Sequence, residues 1–187
     1  MRCAVFDCDG TLVDGQAAVC DSMEAAFAEA GLPAPDRNAV RRIVGLSLPQ
    51  AVMHLAPETQ KDARAAVVEA YKAHFRATRE SGALREVLYD GIRETLHTLH
   101  DADWMLAVAT GKSHPAMLEA ALVECGAAPA DAVMIGDTSF DIEMAKAAGA
   151  TPIGVAWGYH EPDELLRAGA VAVAQSPAQL TEILLER

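Results

Sequence analysis

The sequence predicts an α/β protein, a parallel sheet with helical crossovers interrupted by one inserted all-helical cap. Three observations carry that expectation. Short apolar runs ending in loop residues recur along the chain, helical patterns alternate with them, and one long stretch near the N-terminus has helical periodicity without a buried strand. A chain of 187 residues, 51% hydrophobic and 22% charged, has material for one core domain carrying an insertion. Disorder and a fibrous fold do not fit that balance.

Cys3-Ala4-Val5-Phe6 is the first strand, an apolar run that empties into Asp7-Cys8-Asp9-Gly10. From Gln16 to about Leu88 only helical periodicity is found, punctuated by Gly31-Leu32-Pro33, Gly45-Leu46-Ser47-Leu48-Pro49 and Pro57. This insert begins just after the first strand, so it is expected over that strand's carboxyl edge as a lid, where ligands bind in open α/β sheets. The predicted domains are therefore a core of residues 1–13 and 89–187 and a helical cap of residues 14–88. Trp104–Ala109, Ala132–Ile135, Pro152–Ala156 and Val171–Ala174 read as four further strands. Helices are expected at Ile92–Leu99, Pro115–Glu124 and Ile142–Ala148, the last closed by Gly149 in the left-handed position that ends helices. A final helix starts at Ser176, an N-cap, with Pro177 in its first turn.

The net charge of −12 repels a phosphate backbone, so nucleic-acid and anionic-membrane partners are disfavoured. A small anionic substrate fits only where a cation or local donors reverse the field. Cys3, Cys8, Cys20 and Cys125 form no CxxC pair and read as reduced, mostly buried thiols. Met1–Phe6 is too short for a signal sequence, and no apolar run reaches membrane-spanning length. A cytoplasmic protein, monomer or homodimer, is expected.

Chemistry concentrates in the aspartates. Asp7 and Asp9 stand one residue apart at a strand end, where a two-residue period would place both carboxylates on one side. Like charges so close raise one pKa, which separates a nucleophile from a proton-holding general acid. Gly136-Asp137-Thr138-Ser139-Phe140-Asp141 supplies a second acidic pair at another strand end. Hard oxygen ligands without His or Cys suit Mg²⁺, which would neutralise the cluster and hold a phosphate oxygen. Thr110, before a helix, offers a hydroxyl and Gly111 an N–H to phosphoryl oxygens. Gly111-Lys112-Ser113 is not a P-loop, because that motif's first glycine would fall on Leu106.

Asp7-Cys8-Asp9-Gly10-Thr11-Leu12-Val13-Asp14 closely resembles the first signature of the haloacid-dehalogenase-like (HAD) hydrolase superfamily, Thr110 its second, and Gly136–Asp141 its fourth. Gly45-Leu46-Ser47-Leu48, Asp90-Gly91 and Gly154-Val155-Ala156-Trp157-Gly158-Tyr159 resemble the phosphoglycolate-phosphatase-like branch. The resemblance implies a HAD-like, Rossmann-like sheet, with Asp7 attacking phosphorus and Asp9 first protonating the leaving oxygen, then activating water. It implies Mg²⁺ held by the Asp7 carboxylate, the Asp9 backbone carbonyl and Asp137, with Asp141 in support. It also places Gly10, Thr11 and Gly111 on the substrate, and it puts Arg41, Arg42, Gly45 and Ser47 of the cap against the leaving group. The implied function is Mg²⁺-dependent hydrolysis of small phosphate monoesters, phosphoglycolate among them; a sugar-phosphate mutase is the alternative within the superfamily.

The chain departs from that pattern at the third signature, a lysine usually followed by proline. Its four lysines are Lys61, Lys72, Lys112 and Lys146, and none precedes proline. Thr110 and Asp137 are only 27 positions apart, so a helix-plus-strand unit of about 30 residues is missing, with the seam near Ser113-His114-Pro115. The sheet should then be one edge strand short, exposing a strand that would otherwise be covered. Lys112 is the candidate substitute for the missing lysine, its flexible stem letting the ammonium reach a phosphate from the loop after Thr110. Without such a cation the chain would instead be a catalytically impaired relative that binds Mg²⁺ or a phosphorylated ligand. His114 and the Trp157–His160 segment read as structural.

Overall fold

The computed structural model describes residues 2–82, 87–109 and 115–187, the Pro115 side chain excepted. It divides into two compact units, Met1–Asp14 with Val87–Arg187, and Gly15–Glu86.

The first unit is built on a five-stranded sheet, β4-β1-β5-β6-β7, in which every pairing is parallel. Its strands are β1 (Cys3–Phe6), β4 (Met105–Val108), β5 (Ala132–Gly136), β6 (Thr151–Val155) and β7 (Ala172–Ala174). Helices α5 (Ile92–Asp101), α6 (Pro115–Cys125), α7 (Ser139–Ala148), α8 (Pro162–Ala168) and α9 (Pro177–Leu185) alternate with them. All of β1 and β5 is buried, which explains their unbroken apolar sequence. The two-residue period divides β1 between the faces: Ala4 and Phe6 join a core with Ile92, Leu99 and Leu180, while Cys3 and Val5 join one with Leu118, Leu122 and Met144. Each fully buried Leu or Ile contributes about 1.5–3 kcal/mol to holding helix on sheet.

The predicted helix ends hold. Gly149 closes α7 at φ 76°, and the Ser176 hydroxyl accepts from Gln179 N–H at 3.2 Å. The short α8, between β6 and β7, has no counterpart among the sequence expectations. At the other end of the sheet β4 is an edge strand, with Met105 and Val108 39% and 53% exposed. That is the edge a missing outer strand would leave.

The second unit is a four-helix cluster: α1 (Gln16–Glu29), α2 (Arg37–Arg42), α3 (Leu48–Leu55) and α4 (Lys61–Glu80). Met23, Phe27, Val40, Val52 and Val67 form its core. Asp36 caps α2 by accepting from Ala39 N–H at 2.8 Å, and Ser47 begins α3 in a capping box with Gln50. One expectation is corrected. Val87–Leu88 (β3), placed by the sequence in an all-helical stretch, pairs antiparallel with Val13–Asp14 (β2), so the chain leaves and re-enters the first unit through a two-stranded ribbon. Two residues have no period to read, which hides such a strand from sequence. No helix among the described residues is long and apolar enough to cross a membrane.

Candidate active site

The carboxyl ends of β1 and β5, neighbours in the sheet, carry the acidic residues. Asp7 follows β1 directly and is anchored by its own N–H, which donates to the Ile135 carbonyl of β5 at 2.9 Å. Asp137 and Asp141 follow β5. One carboxylate oxygen from each of Asp7, Asp137 and Asp141 lies within 4.8 Å of the other two.

Asp137 is fully buried and held from both sides. The Thr11 hydroxyl donates to Oδ1 at 2.8 Å and the Tyr159 N–H to Oδ2 at 2.8 Å. Its own carbonyl accepts from His160 N–H at 3.2 Å. Asp141 sits in the first turn of α7, where its Oδ2 accepts from Thr138 N–H at 3.0 Å and the Thr138 hydroxyl at 2.7 Å. This capping box fixes the carboxylate and starts the helix with the same contacts. Glycines admit these groups. A Cβ on Gly10 would strike Asp137 Oδ2 and Tyr159, one on Gly158 would strike Asp137, and one on Gly136 would strike Asp141.

Burial, then repulsion from Asp141 and Asp137, pushes the Asp7 carboxyl up to about 9, against a smaller lowering by the Cys8 N–H. Asp137 is pushed up to about 7 by burial and by Asp141, despite the donors on it, and Asp141 is raised chiefly by burial. Among the described residues no lysine or arginine pairs with any of the three: Lys72 is bonded to Glu69, and Lys146 donates to the Ala168 carbonyl at 2.7 Å. Three converging carboxylates, Asp137 and Asp141 buried and Asp7 partly so, without a cationic partner among the described residues, fit a bound cation, and an all-oxygen donor set favours a hard one.

The remaining predicted residues divide. The Asp9 carboxylate is exposed and outside the cluster, because β1 ends at Phe6 and the two-residue period stops before it. Asp9 instead bridges to Val13, within a turn closed by Gly10 N–H to the Val13 carbonyl at 2.9 Å. Thr11, expected on the substrate, turns its hydroxyl to Asp137, and its carbonyl accepts from Trp157 Nε1 at 3.0 Å. Arg42, Gly45 and Ser47 belong to the helical unit, with Arg42 exposed at the end of α2. Thr110, Gly111, Lys112 and His114 lie outside the described residues. Sequence reasoning missed the backbone N–H groups of Tyr159 and His160 and the ring of His160, whose Nδ1 accepts from Ser139 N–H at 3.2 Å. A backbone donor leaves no residue-type signal; the glycine at 158 was the one hint.

A parallel sheet with a carboxylate cluster where two adjacent strands end puts the acidic site at the carboxyl edge, where open α/β folds bind ligands. The comparisons with known proteins agree. The haloacid dehalogenase-like hydrolase family matches residues 4–115, and a second, HAD-hydrolase-like family matches residues 109–183. A Dickeya dadantii protein named probable phosphatase IndB is 32% identical over 86% of this chain and 84% of its own. The phosphoglycolate phosphatase of Vibrio vulnificus is 25% identical, covering 99% of this chain and 96% of the relative. In fold, the chain superposes on a haloacid dehalogenase-like family hydrolase from Streptococcus pneumoniae with TM-score 0.87, at 24% identity and 98% coverage of both chains. The chain belongs to the haloacid dehalogenase-like hydrolase family, in its phosphoglycolate-phosphatase-like branch, and is a phosphoric monoester hydrolase of that family. The Vibrio alignment runs over 224 positions against 187 residues here, so at least 37 of its positions have no counterpart in this chain.

Proposed function

We propose that this chain is a Mg²⁺-dependent phosphatase of small phosphate monoesters, with phosphoglycolate-like acids as the first candidates, working through an aspartyl-phosphate on Asp7. The observation that carries the proposal is the convergence of Asp7, Asp137 and Asp141 at the ends of β1 and β5. Asp7, Asp137 and Asp141, with the Asp9 carbonyl, would hold the ion. Bound there, Mg²⁺ supplies positive charge to the carboxylates and to a phosphate oxygen.

Asp7 must be ionised to attack, and with its carboxyl at about 9 the cluster keeps it protonated at neutral pH unless positive charge offsets its neighbours. An ionised Asp7 oxygen attacks phosphorus in line, the ester P–O bond breaks, and the leaving oxygen takes the Asp9 proton. Asp9 then accepts a proton from water, which attacks the same phosphorus, releasing phosphate and regenerating Asp7. Exposure suits Asp9 to this work, since it must meet both leaving group and water. Thr110 and Gly111 are proposed to donate to the phosphoryl oxygens and Lys112 to supply the charge of the missing lysine.

Phosphate release from p-nitrophenyl phosphate, phosphoglycolate and a set of sugar phosphates, with and without Mg²⁺, tests the proposal. Turnover that needs both Mg²⁺ and Asp7 is expected. A folded chain whose melting temperature rises with Mg²⁺ yet which releases no phosphate would assign it to the binders instead.

A further inference from the structure

After β6 the chain passes over the loop that carries Asp137. β6 ends at Val155 and α8 starts at Pro162, and between them Gly158 comes so close that a Cβ on it would strike Asp137. Two backbone donors of this passage meet that aspartate: the Tyr159 N–H reaches Oδ2 at 2.8 Å and the His160 N–H reaches the carbonyl at 3.2 Å. A backbone N–H cannot be removed by exchanging its side chain, so the sequence controls these donors only through side chains that fix where the passage stands. His160 has such a side chain. The residue is 8% exposed, its Nδ1 accepts from the Ser139 N–H at 3.2 Å, and the Phe140 ring meets it edge-on with centroids 6.0 Å apart. Ser139 is the first residue of α7, where an N–H has no partner within its own helix. The N-cap Thr138 serves the Asp141 N–H instead, and the acceptor for Ser139 comes from 21 residues further along the chain. One residue thus grips the Asp137 loop at two points, at 137 by its backbone and at 139 by its ring.

We propose that His160 is a positioning residue of the acidic site, its ring acceptor on the Ser139 N–H holding the Tyr159 and His160 N–H groups on Asp137. The inference rests on the reading of Asp7, Asp137 and Asp141 as a Mg²⁺ site. His160 supplies none of the cluster's ligand atoms and acts through Asp137. Groups that orient a metal-binding carboxylate set how well it holds the ion, because a carboxylate free to turn must be ordered again on binding. The accepting nitrogen is what the position requires: Nδ1 stands two bonds from Cβ, as Oδ1 of an asparagine does, whereas the oxygen of a glutamine stands three bonds away.

The test titrates the full-length chain with Mg²⁺ alone in a calorimeter, at a temperature where circular dichroism shows every variant folded. His160→Leu and His160→Gln should each bind Mg²⁺ roughly tenfold more weakly than the unsubstituted chain, and His160→Asn should stay within about twofold of it. The glutamine and asparagine variants carry the comparison even where the leucine variant does not fold. A residue that only supports the fold would lower the melting temperature of the metal-free variants and leave the Mg²⁺ affinity of the folded chains unchanged, and that result would overturn the proposal. Equal weakening in the asparagine and glutamine variants would overturn it too, since the ring acceptor would then not be what matters. In both cases the unsubstituted chain still binds Mg²⁺ and the reading of the acidic site stands. An unsubstituted chain that binds no Mg²⁺ would bring down that reading and this inference with it.

Discussion

The two strand ends that meet at the acidic cluster are built differently. After β5, Asp137 is wholly buried between Thr11 and Tyr159 donors, and Asp141 is fixed by Thr138, each on a carboxylate-shaped seat that glycines leave open. After β1, Asp7 keeps partial exposure and Asp9 is exposed, on a turn closed by the Gly10 N–H to the Val13 carbonyl. The difference separates a template from a tool. One side is over-determined, as a group that must not move requires, and the other leaves its oxygens accessible to a reacting phosphorus.

The largest expected effect comes from breaking the accessible side. Asp7→Asn should lower turnover by roughly a thousandfold or more while leaving the fold intact, checked by phosphate release beside circular dichroism. On the template side, Asp137→Asn should weaken Mg²⁺ binding by roughly 10–100-fold, read by a titration of melting temperature against Mg²⁺. Thr11→Val removes only one donor from that carboxylate, and a loss of roughly tenfold in the same titration is expected. A Thr11→Val chain with unaltered Mg²⁺ binding would show that the Asp137 seat is over-built rather than tuned.

Packing answers to the same contrast. Gly158→Ala drives a methyl into Asp137 and should cost roughly 1–3 kcal/mol, seen as a lower denaturation midpoint. The smallest effect is on pH. Burial and mutual repulsion push the Asp7 and Asp137 carboxyls up to about 9 and about 7, above the ordinary carboxylate range, so the folded chain binds more protons than the unfolded one across that interval. Without Mg²⁺ the cluster's contribution to stability is complete below pH 4 and is lost as pH rises through 7 and then 9. Added Mg²⁺ should therefore raise the melting temperature more at pH 8 than at pH 5, a trend that Asp137→Asn should flatten.

Much of this was legible in the residues themselves. Five apolar runs became the five parallel strands, β1 and β5 apolar throughout because both are buried on both faces, and aspartates at the ends of these two could only gather at one sheet edge. The ribbon of Val13–Asp14 and Val87–Leu88 was not legible, since pairing of two-residue strands is decided by the fold and not by local pattern. The position of Asp9 was misjudged for a related reason: the strand stopped one residue before the first aspartate. The bond from the Thr11 hydroxyl to Asp137 has no sequence signal, because Asp137 lies far along the chain and is brought close by the pairing of β1 with β5. His160 had no local carboxylate to announce a role, and it meets the Ser139 N–H, the Asp137 carbonyl and the Phe140 ring around the start of α7.

The shortened segment after Thr110 sharpens what the account must explain. β4 stands as an edge, and the lysines at 72 and 146 are engaged away from the carboxylates.

The most direct test is chemical: mix the chain with Mg²⁺ and a turned-over phosphate ester, quench in acid within the first turnovers, and weigh the peptides. The account predicts about 80 Da, one phosphoryl group, on the peptide that carries Asp7, absent when Mg²⁺ is withheld. Phosphate released with no label on that peptide, or with the label on another residue, would contradict it.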